Sequence, residues 1–201
     1  MAQLRKYGIA GMVRRMHLHA FMRRASMIET PVRQPPRPLE EVLAYRNELV
    51  INSFTSKMDV SREEAERIFL EVKRWLWYIA TTTPTEQNPE AHAIDEPMFI
   101  IDEMWHTFIL ITRDYMAFCD QMFGRYIHHA PGFAGAEEYG ARYVLAEGDN
   151  VVEDTLAQTM VRKRAKYTDI HEKLGEEAFL TWYRDFPQAY PVDAIRRLRK
   201  R

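Results

Sequence analysis

One stretch commits this chain to helix more firmly than any other. Ser61 and Glu64 form a capping-box pattern, in which each side chain bonds the other's backbone amide. Behind them Ala65, Ile68, Phe69, Val72, Trp75, Leu76 and Ile79 recur at intervals of three and four. That spacing puts them all on one helix face. A face so rich in large apolar groups has to be covered by other elements, so the stretch predicts a core as well as a helix. Trp75, Trp77 and Trp182 read as packing residues, although Trp77 falls off the stripe and is also a candidate for lining a pocket.

The remaining periodic segments are helical too. Residues 8–27 carry a weaker helical pattern, and their arginine pairs at 14–15 and 23–24 fall on opposite faces. A helix lying on a membrane would segregate those charges, which argues against membrane docking. Pro31, Pro35, Pro36 and Pro38 make a stiff linker. Leu39, Val42, Leu43, Leu49, Val50 and Phe54 then predict a single second helix. After the capped helix, the prolines at 84, 89 and 97 mark a loop. Residues 98–110 form a fourth helix, and Thr112 is placed to cap a fifth over 113–123, closed by Gly124. Glycines at 132, 135, 140 and 148 make the next stretch loop-like, with room for a short helix near 137–145. Leu156, Met160, Lys163, Tyr167, Ile170 and Leu174 predict a sixth helix ended by Gly175, and Phe179 to Phe186 a short seventh stopped by Pro187.

The fold expected is therefore all-α, a compact domain of about six or seven helices over residues 38–190. A basic arm and Pro-rich linker (1–37) precede it and a basic tail (191–201) follows. Hydrophobic residues make up 46% of the chain, enough for a globular core and too many for a disordered segment. The lone cysteine, Cys119, excludes a disulfide within the chain and points to a reducing, cytoplasmic setting. No apolar run approaches the roughly 18–20 residues of a membrane span, and no apolar core at the N-terminus reads as a secretory signal.

Charge is unevenly spread. Residues 1–37 carry eight arginines and lysines against Glu29 alone, and the segment from Asp193 carries five against one. The body between them is acidic. Basic ends of this kind suit an acidic protein or other polyanion as partner, or they lie on the chain's own acidic body. No motif for nucleic acid and no nucleotide-binding glycine loop is present.

The residues that carry chemistry gather between 102 and 129. Three of the seven histidines (His106, His128, His129), Cys119 and several carboxylates lie there, the donor types of a zinc or other divalent transition-metal site. Asp102 and His106 are four apart and share a helix face. If the fourth and fifth helices turn back on each other near Thr112, His106 and Cys119 come level across the hairpin. The chain after Gly124 then has only to return to bring His128 or His129 alongside. Asp102, His106, Cys119 and His128 or His129 are thus the candidate ligands. Three protein ligands plus water leave a position open for Lewis-acid or hydroxide chemistry. The same residues also suit a structural polar cluster: a buried cysteine packs as a small hydrophobe, and Asp102 alone can satisfy His106. A Cys–His nucleophile would need a thiolate, and Cys119 is not at a helix N-terminus. His17 and His19 sit in the basic arm, His92 in the Pro-rich loop within reach of the site, and His171 beside the stripe of the sixth helix.

The run Asp102-x-x-Trp105-His106-Thr107, with Tyr115, Cys119, Gly124 and a downstream histidine, resembles the glycine-rich domain-containing protein-like family, in its short bacterial form without a glycine-rich region. The resemblance spans about residues 98–131, with Tyr167, Gly175 and Trp182 as weaker extensions. It implies a helical fold and assigns no reaction. The family pattern often has a second histidine two residues after the first; here that position is Phe108. Two functions follow from these residues: a metal-binding protein centred on His106, or a non-catalytic interaction module working through its basic ends.

Overall fold

The computed structural model describes residues 34–129 and 156–200. The chain divides into Met1–Gln34 and Pro35–Arg201, and the architecture below belongs to the second unit. The predicted helices at 8–27 and near 137–145 lie outside the described residues. Among those described the fold is all-α, with two isolated β-bridges and no strand. None of the described helices is long and apolar enough to cross a membrane.

The elements are α1 (Leu39–Ala44), α2 (Glu48–Lys57), α3 (Arg62–Thr81), a 3-10 turn (Glu96–Met98), α4 (Phe99–Leu110), α5 (Thr112–Phe123), α6 (Leu156–Leu180), a π-helical turn (Thr181–Asp185), α7 (Phe186–Ala189) and α8 (Val192–Leu198). The capping box at Ser61 and Glu64 is formed in both directions. All seven stripe residues of α3 are buried, and so are Glu71, Lys73 and Tyr78 on its other faces. A helix buried on so many sides is a central one, and α1, α2, α4 and α6 all pack on it.

Each charge that α3 takes into the interior has a partner. Lys73 donates to the carbonyls of Leu43 (2.6 Å) and Tyr45 (2.8 Å), capping the end of α1. Glu71 accepts from Trp182 Nε1 at 2.8 Å and sits 3.3 Å from Arg74. Burial pushes the Glu71 carboxyl up against the pull of Arg74, and it brings the Lys73 ammonium down to about 8. Trp77 packs partly buried against the core; its indole donates to the Arg37 carbonyl at 3.0 Å and ties the end of the proline-rich segment to the body.

Three expected boundaries change. The single helix expected over 39–54 is two, because Tyr45 is extended (φ −58°, ψ 137°) and Asn47 restarts the helix by accepting from the Val50 amide at 3.0 Å. Thr112 is inside α5, and Ile111 occupies the cap position without a side-chain bond. Pro187 opens α7 instead of stopping a helix, since a missing N–H costs nothing in a first turn. Gly175 does break α6, at φ 84° and ψ 172°.

The basic tail belongs to the packed body. Ile195 of α8 is buried, and the chain then pairs with the α2–α3 connection: the Asp59 amide donates to the Leu198 carbonyl and the Lys200 amide to that of Lys57, both at 2.7 Å. Arg197 pairs with Asp193, Arg199 with Glu103, and Lys200 Nζ with the Thr55 carbonyl.

Candidate metal centre

Helix α4 supplies the first two residues. Asp102 lies in its first turn, where the exposed backbone amides favour a carboxylate. His106, one turn on, places Nδ1 3.4 Å from Asp102 Oδ2. Between and beside them Ile101, Met104, Trp105 and Phe108 are buried, so α4 turns its apolar side to the core and the Asp–His pair outward.

The third residue arrives from the return strand of chain after α5. Gly124 takes the left-handed conformation (φ 60°) that ends α5, and its amide bonds Asp120 O. Arg125 next donates to the Ile79 and Ala80 carbonyls at the end of α3 (3.3 and 3.2 Å). Ile127 is buried, and its carbonyl accepts from Tyr115 OH at 2.7 Å, while that same hydroxyl accepts from Trp105 Nε1 at 3.0 Å. These anchors fix the segment that carries the two histidines. His128 is exposed, against the Tyr126 ring, while the His129 side chain is largely covered and reaches Asp102.

His129 is held on two sides. Nε2 lies 2.8 Å from Asp102 Oδ1, and the ring meets that of Trp105 edge to face at 4.3 Å between centroids. The His106 and His129 rings are 4.4 Å apart. One ligating atom from each of Asp102, His106 and His129 falls within 4.8 Å of the others. Tetrahedral zinc would set such atoms about 3.4 Å apart, so closing the group needs side-chain movement on the order of 1 Å.

Five residues were candidates from the sequence, and the structure brings together three. Cys119 is fully buried in the α5 stripe with Tyr115, Phe118, Met122 and Phe123, while the His106 side chain is 46% exposed, and the thiol is not among the three grouped ligand atoms. The thiol has the Ile127 backbone and the Tyr115 hydroxyl for company, and burial pushes its pKa up, the opposite of what a nucleophile needs. His128 stands apart from the group of three but lines the same cavity.

That cavity, of about 860 Å³, has Asp102, Trp105 and His129 on one side. His92 lines it from the loop after α3, with Nε2 2.9 Å from the Thr82 carbonyl. Burial, with Arg125, Lys173 and Lys166 nearby, holds the His92 pKa below its usual 6.5. The remaining wall comes from α8 and the tail, through Ile195, Arg196 and Arg199. Sequence reasoning missed this wall because nothing in the spacing of the tail says where it docks.

Comparison with known proteins gives one relationship. No curated protein and no solved structure matches the chain significantly. The UCP032817-like family matches residues 40–141. That span holds α1 from its second residue, α2 to α5 and all three clustered residues; nothing in the match links the chain to the glycine-rich domain-containing protein-like family. With half its length matched, including the central helix and the Asp–His–His group, this chain belongs to the UCP032817-like family.

Proposed function

We propose that this protein binds a divalent transition metal ion, zinc by preference, through Asp102, His106 and His129. The observation that carries the reading is the convergence of three ligand atoms of the right types within 4.8 Å, from two separate segments, beside a cavity. Two imidazoles and a carboxylate are a common catalytic zinc set, with the fourth position left to water or substrate. In this reading that position faces the cleft. Its chemistry is polarisation of a bound oxygen or delivery of a metal-held hydroxide. Trp105 and the anchored 125–129 segment hold His129 in place before any ion arrives, which lowers the cost of ordering it.

The test is zinc titration and elemental analysis of protein carrying no histidine tag. One equivalent of zinc is expected. Substituting a first ligand, His106→Ala or His129→Ala, should lower affinity at least tenfold (substitution of even outer partners of a metal typically costs that much). Cys119→Ala and His128→Ala should leave it unchanged. Metal well below one equivalent that does not respond to His106→Ala would overturn the reading.

A further inference from the structure

The cleft beside the Asp–His–His group is charged in a way the metal alone does not explain. Asp102 and Glu103 bring two carboxylates to its lining, and Arg196 and Arg199 bring two guanidinium groups. The charges balance, so a bound dication makes the lining net positive. The two arginines are not equivalent. Arg199 is bonded to Glu103, which ties it to the residue next to Asp102. Arg196 makes no ion pair among the described residues and is exposed to the cleft. Apolar groups, Ile94, Phe99 and Ile195 among them, form much of the remaining lining. A volume of about 860 Å³ falls in the range of small-molecule pockets.

We infer that the cleft takes a small organic oxyanion, a carboxylate or phosphate on an apolar body, gripped by Arg196 while one of its oxygens meets the metal. The inference rests on the metal reading above. A planar guanidinium with free N–H groups matches the paired oxygens of either anion. An open position on a dication accepts the same oxygens. The apolar side of the cleft receives the body that carries the anion. Arg199 is a positioning residue in this scheme: its bond to Glu103 occupies that carboxylate and keeps it off the metal.

The experiment uses the full chain loaded with zinc and three probes of similar shape: benzoate, phenyl phosphate and neutral benzamide. Binding is followed by calorimetry for the wild type, Arg196→Gln and His106→Ala, with zinc affinity measured separately for each. Arg196→Gln should keep wild-type zinc affinity and lose about tenfold or more in affinity for the anionic probe that binds. Benzamide should bind at least tenfold more weakly than that probe. Preference between benzoate and phenyl phosphate identifies the headgroup. If zinc binds and neither anion binds, or Arg196→Gln changes nothing, the inference fails and the metal reading stands. If zinc does not bind the wild type, both fail.

Discussion

At the scale of single residues, neighbouring positions on one anchored segment differ in what they meet. The sequence offered His128 and His129 as equals, whereas the segment held by Arg125 and Ile127 leaves His128 exposed and brings His129 to Asp102. Cys119 was misleading for a related reason: spacing from the turn placed it level with His106, but spacing cannot say which side of a hairpin is filled by core. His92 carries a prediction of its own. Its pKa is depressed below 6.5 by burial and by the cations around it, so the folded state resists a proton that the unfolded chain accepts. Its contribution to stability is complete above about pH 6.5 and is lost as pH falls through the folded value. His92→Gln keeps a donor for the Thr82 carbonyl without the titration. The wild type should therefore lose more stability than His92→Gln on going from about pH 7.5 to about pH 5. Urea midpoints at the two pH values measure it, and a constant difference between the proteins would refute it.

Among the elements, what the sequence shows depends on how local the cause is. The start of α3 was legible because Ser61 and Glu64 answer each other within one turn. The gap between α1 and α2 was not, since part of what holds it open is Lys73, some thirty residues along the chain, which caps the end of α1. Gly175 was legible as a break, although the helical hydrogen-bond pattern resumes beyond it. Its φ of +84° with an extended ψ is a conformation almost closed to other residues. A Cβ there would meet nothing within 4 Å, so any cost of Gly175→Ala comes from the backbone alone. We expect a loss of about 1–3 kcal/mol in denaturant unfolding. A variant as stable as the wild type would mean that the break is not fixed by this residue.

For the molecule as a whole, helical content and the central place of α3 could be read from periodicity, whereas the role of the last ten residues could not. Arginines look alike in a sequence whether they are solvated or bonded, and only the docking of Ile195 shows that α8 is part of the core. Removing residues 192–201 should uncover that contact and one wall of the cleft. The expected result is a lower melting temperature with stronger binding of a hydrophobic dye; an unchanged melting temperature would show that α8 contributes nothing to the packed body. The bridge between Met58 and Arg199 also bears on how the protein is purified. A polyhistidine tag fused after Arg201 would emerge from backbone pinned beside the cleft. Its imidazoles would compete for the ion under study, or deliver one from the affinity column, so a handle attached at that end has to be free of histidine.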